Sequence, residues 1–398
     1  MTYPKRNNRP ISKGAPQAPG RHQTKRKMVS SLDPKQLVKK ALPVQKISNP
    51  TSGQNFINLP LDKKLQANIQ KKGYTTLTPI QEQAVPVLLE GRDMLAISKT
   101  GSGKTAAFLI PLIMRLLEKP LAHSVLIVAP TRELALQIGE EFKELTLGMN
   151  LRWATFIGGT NIQSDLNHLS QKPQVLIGTP GRLLDLAKQR VLPLKQVNTL
   201  VLDEFDRMLD MGFIQDVKRL VEMIGSREQT LLFSATLDAS QQKLISGLLD
   251  NPVEIQIDPG TSANEHINQE TIQVADGEDK FLVMKDLFQD SSLEKVILFT
   301  ETKRLADRLA KKLNQNGISA GQIHGDKSQN FRNRTLDEFK SGKIRVLVAT
   351  DVAARGIDVA DVNLVINYQM PMTMDAYIHR IGRTGRAGKT GRAITFIN

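Results

Sequence analysis

The 398-residue sequence contains no cysteine and only six histidines. Without cysteine there is no disulfide framework, no thiol nucleophile and no Cys-ligated zinc. The histidines form no His-Glu-x-x-His pair, which argues against a zinc hydrolase of that type. Long apolar runs are also missing: the most apolar one, Ala106 to Met114, holds Pro111 and is closed by Arg115. It is too short to span a bilayer and reads as a buried helix. Acidic residues are scarce in one place only. Residues 1–50 carry twelve Lys/Arg against a single acid, Asp33, whereas the other 348 residues carry 42 basic against 39 acidic groups. The overall net charge of +14 is therefore +11 in the tail and +3 in the rest.

The run from Lys5 to Lys27 is rich in Pro, Gly, Asn and Gln and nearly free of large apolar side chains. Such a segment buries too little surface to offset its ordering entropy, so a disordered tail is expected over residues 1–50. Its charge suits a nucleic-acid tether acting by counterion release, with a simple solubility tail as the alternative. No apolar stretch follows the basic residues, so it does not read as an export signal. A cytoplasmic setting with no membrane partner is the default expectation.

Beyond the tail, short apolar runs alternate with helical patterns. Asp93–Ile97, Ser124–Ala129, Gln174–Gly178, Thr199–Asp203 and Thr230–Phe233 read as buried strands. Their continuous Val/Ile/Leu character suits a parallel sheet covered on both faces. Helical spacing marks Arg132–Leu145 and Ile214–Ile224. After a polar break at 259–268 the rhythm restarts, with strands at Thr271–Val274, Lys295–Phe299, Arg345–Ala349, Asn363–Asn367 and Ala393–Ile397. The expected organisation is a tail (1–50), an α/β domain (51–258), a linker (259–268) and a second α/β domain (269–398), each domain doubly wound on a parallel sheet. Ligands of such sheets gather at the carboxyl ends of the strands.

At the end of the first strand stands Ser98-Lys99-Thr100-Gly101-Ser102-Gly103-Lys104-Thr105, leading into a helix. Gly101 and Gly103 let the backbone curl so that its N–H groups face a phosphate. Lys104 is placed to reach β- and γ-phosphates, and the Thr105 hydroxyl to ligate Mg²⁺. Asp203 and Glu204, closing the apolar strand Thr199–Asp203, supply the acidic partners: Asp203 for the metal, Glu204 to orient or deprotonate the attacking water. Together these groups point to nucleoside triphosphate hydrolysis. Near the C-terminus, Arg380, Arg383 and Arg386 recur every third residue with glycines between. Either this is a solvated basic turn, or Arg383 and Arg386 cross the interdomain cleft to the γ-phosphate as arginine fingers. The glycine-rich spacing favours an exposed backbone over packing.

With these motifs in place, the chain over residues 54–398 resembles the DEAD-box ATP-dependent RNA helicases. That resemblance implies two tandem RecA-like domains, ATP and Mg²⁺ as cofactors, and RNA as partner, with ribosomal or mRNA-decay ribonucleoproteins as candidate targets. Gly73-Tyr74-Thr75-Thr76-Leu77-Thr78-Pro79-Ile80-Gln81 is similar to the family's adenine-reading motif, with Phe56 seventeen residues ahead of Gly73. Gln81 would pair with adenine and Phe56 stack on it. The resemblance assigns RNA-backbone contacts to Pro130, Thr131, Arg132, Gly158, Gly159, Thr179, Pro180, Gly181, Arg182, Gln329, Arg332 and Thr350. It assigns the ATP ribose to Asp358, with Arg355 and Gly356 shaping that loop. Coupling of hydrolysis to strand separation falls to Ser234, Thr236, Asp206 and His379. Arg207–Phe213 and Ile323–Gln329 look most like the bacterial RhlE-like branch. The sequence departs from the family at Phe205, where the name-giving tetrad has Ala, at Ser98-Lys99 in the phosphate loop, where Ala-Gln is usual, and at Gln369-Met370-Pro371, where an acid followed by Leu-Pro is usual. Phe205 calls for a reshaped core around it, and Gln369 for a weakened interdomain contact.

Overall fold

The computed structural model describes residues 30, 32–40, 53–98, 101–225, 227–237, 239–257, 266–354, 359, 362–385 and 390–397. Seven strands form one sheet: β1 (Met94–Ile97), β2 (Val125–Val128), β3 (Trp153–Phe156), β4 (Val175–Gly178), β5 (Thr199–Leu202), β6 (Gln229–Ser234) and β7 (Val253–Gln256). Their order is β3-β4-β2-β5-β6-β1-β7. A second sheet contains β8 (Ile267–Gln273), β9 (Val296–Thr300), β10 (Ala320–Ile323), β11 (Val346–Thr350), β12 (Leu364–Asn367) and β13 (Gly391–Ile397), in the order β10-β11-β9-β12-β13-β8. Every pairing between these strands is parallel.

Alternation within the strands builds the layers. Val125 and Ile127 face one apolar cluster while Leu126 and Val128 face another, so β2 is buried on both sides. The second sheet is sandwiched in the same way, Val296 and Leu298 on one face and Ile297 and Phe299 on the other. Two doubly wound α/β domains result, as expected. The helix Arg132–Leu145 has the expected bounds and opens on Thr131, whose hydroxyl accepts the Leu134 N–H at 3.3 Å. Ile214–Ile224 also has the expected bounds. The apolar run Ala106–Met114 lies inside the helix Lys104–Glu118, with Pro111 buried within it. No helix among the described residues is long and apolar enough to cross a membrane.

Three strands were not anticipated: β3, β7 and β10. In addition, β8 starts at Ile267, inside the stretch read as linker, rather than at Thr271. The uninterrupted tail also needs correction. Residues 34–37 form a 3-10 turn, Leu37 is fully buried, and Lys39 makes an antiparallel bridge to Gln269. Leu32 and Leu37 give this stretch the apolar anchors that the Lys5–Lys27 run lacks. Residues 1–29, 41–50 and 259–265 lie outside the described residues.

Candidate active site

The phosphate loop follows β1. Gly101 and Gly103 hold φ of +82° and +94°, the left-handed region that favours glycine. A Cβ at Gly103 would stand 2.6 Å from Gln81 Nε2 and 2.9 Å from Thr78 Oγ1, so glycine is also required for space. Lys104, the first residue of its helix, is 6% exposed and donates from Nζ to the Ser98 carbonyl at 2.8 Å. The Ser98 hydroxyl lies 3.0 Å from that of Ser102, so the unusual serine braces the loop from inside. Lys99 and Thr100 lie outside the described residues.

Gln81 ties this loop to the segment before it. Its Oε1 accepts the Thr78 N–H at 2.9 Å and its Nε2 donates to the Gly103 carbonyl at 3.1 Å. One amide proton and one lone pair remain for a ligand. Phe56 is 2% exposed, with its ring 6.2 Å from that of Tyr74. A cavity of about 470 Å³ runs from Phe56 and Gln81 past Lys104 and Asp203 to Glu204 and Arg383. Thr105 lines it as well.

At the carboxyl end of β5, Asp203 and Glu204 are both buried. Burial pushes the Asp203 carboxyl up to about 6, while the nearby Lys104 cation works in the opposite direction. Glu204 holds φ of +52°, rare for a residue with a side chain, and its N–H donates to Asp203 Oδ1 at 2.9 Å. Phe205 follows, fully buried in the cluster that contains Met208 and Val217, so the larger side chain is absorbed by the core. Asp206 Oδ2 accepts the Ala235 N–H at 3.3 Å and the Thr236 hydroxyl at 3.4 Å. Ser234 Oγ donates to the Thr236 carbonyl at 2.7 Å, and the Ser234 carbonyl accepts the Ser98 N–H at 2.9 Å. The acidic loop, the Ser234–Thr236 turn and the phosphate loop thus belong to one hydrogen-bonded chain. Sequence reasoning missed Arg207. It is 1% exposed, with Nη1 3.4 Å from Glu204 Oε2. Its spacing of three from Glu204, at the start of a helix, was the available signal.

These groups suit a nucleotide with a divalent cation. One carboxylate and one hydroxyl beside a phosphate cradle are what Mg²⁺ takes when phosphates and water complete its octahedron. Among the described residues there is no cluster of three His, Asp or Glu side chains able to form a protein-only metal cage.

The second domain contributes Arg383 to this cavity. Its Nε donates to the His379 carbonyl at 3.3 Å, at the end of the helix Met374–Ile381. Arg380 grips Asp351 with two bonds of 2.6 and 2.8 Å. Arg380, Arg383 and Thr384 are 3%, 6% and 2% exposed. The alternative of a solvated basic turn does not fit the described residues: Arg380 is locked by a bidentate carboxylate, and the Thr384 hydroxyl donates to the Val362 carbonyl at 2.5 Å. Gln369 forms its bonds within the second domain, accepting the Glu301 N–H and donating to the Glu301 carboxylate, both at 3.0 Å. The weakened interdomain contact is thereby also corrected, because an acid at 369 would face Glu301. Arg355, Gly356, Asp358 and Arg386 lie outside the described residues.

The remaining predicted residues line the same carboxyl edges. Pro130, Thr131 and Arg132 follow β2, and Arg132 reaches over the Gly158-Gly159 turn after β3, where a Cβ at Gly159 would stand 2.8 Å from its Nη1. Thr179, Pro180, Gly181 and Arg182 follow β4, the last three opening the helix Pro180–Lys188. Arg182 is already engaged: Nε to Asp165 Oδ2 at 2.7 Å and Nη2 to the Thr160 carbonyl at 3.1 Å. Thr350 ends β11 opposite Thr300. Gln329 and Arg332 meet the first domain through Glu133, another residue the sequence reading missed. Arg332 Nη2 is 2.7 Å, and Gln329 Nε2 3.2 Å, from Glu133 Oε1.

Comparison with known proteins agrees with this geometry. The family model for the DEAD/DEAH box helicase matches residues 78–244, and that for the helicase conserved C-terminal domain matches residues 279–388. The chain is 43% identical to the ATP-dependent RNA helicase CshA of Listeria monocytogenes over 342 residues, covering 86% of this chain and 66% of the relative. Its identity to the DEAD-box ATP-dependent RNA helicase CshA of Geobacillus kaustophilus is 40%, covering 86% of this chain and 73% of the relative. Among solved structures, Saccharomyces cerevisiae Dbp5 bound to RNA and ADP BeF3 superposes with a TM-score of 0.76 at 32% identity, covering 86% of this chain and 89% of that one. Mss116p bound to single-stranded RNA and AMP-PNP gives 0.77 at 32% identity, covering 90% and 77%.

Proposed function

Because the chain belongs to the DEAD-box family of ATP-dependent RNA helicases, we propose that it couples ATP hydrolysis to local unwinding or remodelling of short RNA duplexes and ribonucleoproteins. The supporting observation is one cavity that gathers Phe56 and Gln81 at one end and Lys104, Asp203, Glu204 and Arg383 at the other. Phe56 stacks on adenine, and the spare amide proton and lone pair of Gln81 match its N7 and N6 edge, which guanine does not offer. Lys104 and the loop from Thr100 to Gly103 hold the phosphates, and Asp358 holds the ribose. Thr105 and Asp203 hold Mg²⁺, which when bound neutralises phosphate charge. Glu204 accepts the proton of the attacking water, while Arg383 and Arg386 neutralise the charge that develops on the γ-phosphate.

RNA lies along the strand ends of both domains. The groups there (Thr131, Arg132, Gly158, Gly159, Thr179, Arg182, Gln329, Arg332 and Thr350) suit sugar and phosphate rather than bases, so sequence preference is weak. Asp206, Ser234, Thr236 and His379 link cleft closure to hydrolysis. The setting is cytoplasmic, the targets are ribosomal or mRNA-decay ribonucleoproteins, and the branch is RhlE-like, as the segments Arg207–Phe213 and Ile323–Gln329 suggest.

The test is steady-state ATP hydrolysis with RNA and with DNA of the same sequence. RNA is expected to stimulate turnover, and Glu204→Gln to lower kcat by roughly 10²- to 10⁴-fold. Absence of RNA stimulation, or unwinding that continues undiminished in Glu204→Gln, would overturn the proposal.

A further inference from the structure

Residues 32–40 precede the first domain in sequence yet pack on the second. Leu37 is 0% exposed and shares an apolar cluster with Ile267, Tyr377 and Ile381. The Lys39 N–H donates to the Gln269 carbonyl at 3.1 Å, and the Gln269 N–H donates back to the Lys39 carbonyl at 2.7 Å. This bridge falls on β8, the edge of its sheet, where backbone groups would otherwise face outward. Further along, Ser30 Oγ donates to the Pro371 carbonyl at 2.7 Å. The chain therefore touches the second domain, crosses to the first by Gly53, and returns at β8.

The central contact is with Tyr377, which is 2% exposed. Its hydroxyl sits 3.3 Å from the Leu37 carbonyl and 3.0 Å from Gln269 Oε1, and its single proton can serve either. Tyr377 lies on the helix Met374–Ile381, whose last turn carries His379, the carbonyl that anchors Arg383 Nε. A tether that only attracts RNA needs cations; it needs neither a fully buried leucine nor a two-way backbone bridge.

We propose that Leu37 is a positioning residue for hydrolysis: docked against Tyr377, it fixes the helix that presents Arg383 to the nucleotide cavity. This rests on the role given to Arg383 above. The segment acts by holding an existing side chain in place, and it touches neither ATP nor RNA.

The experiment uses the full chain carrying Leu37→Asp, with Leu37→Met as the conservative control. Leu37→Ala reads the same quantity should the aspartate variant fail to fold. With saturating ATP and RNA, Leu37→Asp is expected to lower kcat roughly 10- to 100-fold, the size of effect that misplacing a reacting group produces. The KM for ATP and the RNA affinity stay within about twofold, since the binding groups are untouched. Leu37→Met restores kcat. An unchanged kcat in both Leu37→Asp and Leu37→Ala, or a loss confined to RNA affinity, overturns the inference. Arg383→Ala is measured alongside. If it abolishes turnover while the Leu37 variants are normal, only this inference fails; if it too is normal, the reading of Arg383 fails first.

Discussion

In the half proposed for the nucleotide, buried Gln81 keeps one amide proton and one lone pair without a partner among the described residues. In the half proposed for RNA the charged side chains are largely engaged with one another: Arg182 with Asp165, Arg332 and Gln329 with Glu133. An unsatisfied buried polar atom costs free energy until something meets it, so the first half is shaped for a ligand that arrives. The second half is mostly satisfied by itself, although Arg332 Nε is buried without a partner among the described residues, and on the proposed reading an RNA phosphate competes with carboxylates already in place. On the proposed reading the nucleotide site offers open groups, whereas the RNA site exchanges side-chain partners to bind, which would put the larger rearrangement on the RNA side.

The sharpest way to break this contrast is at Arg383, which belongs to the half proposed for the nucleotide. Replacing it with Ala removes the cation proposed to act on charge developed only during reaction. A kcat loss of about 10³-fold or more is expected, with little change in KM for ATP. RNA-stimulated hydrolysis measures it. A loss below about tenfold would mean that the buried Arg383 is structural and that the nucleotide half lacks its second-domain partner.

Arg182 probes the self-satisfied half. Asp165 is 2% exposed, so Arg182→Ala leaves a buried carboxylate without its cation. The expected cost is about 3–5 kcal/mol of stability, read from urea melts, and Asp165→Asn on the same chain recovers part of it. Full stability in Arg182→Ala would instead mean that Asp165 does not depend on the pair and would remove one leg of the comparison.

How much of this was legible in the sequence follows burial. Each central strand was visible, because β2, β4, β5, β9 and β12 are buried along their whole length and read as unbroken apolar runs. The failures all sit on sheet edges. β3 alternates, β7 buries one residue, β10 reads Ala-Gly-Gln-Ile, and β8 begins in polar residues. An edge strand is covered less, so its sequence carries less of the signal. At the site, motif residues were legible wherever backbone geometry demands a residue type, as at Gly103. Glu133 and Arg207 were not, because their importance lies in a partner that only the fold brings near. Leu37 belongs with them: the leucines of the basic tail, at 32, 37 and 42, follow neither the helical nor the strand period.

The tail itself gives the smallest expected effect and sharpens the same contrast, since charge that acts before binding should be separable from groups that act during it. Residues 1–29 contain eight Lys/Arg and no acid. Deleting them keeps residues 32–40 and their contact with Tyr377, so kcat at saturating RNA should not change. RNA affinity should fall, most at low salt, by roughly tenfold or less at physiological ionic strength. The slope of log affinity against log salt should become shallower by about 0.7 for each cation that had neutralised a phosphate on a single strand. An unchanged slope would reduce the segment to a solubility device, leaving the proposed RNA half to recruit its ligand through the exchange of partners at Asp165 and Glu133 alone.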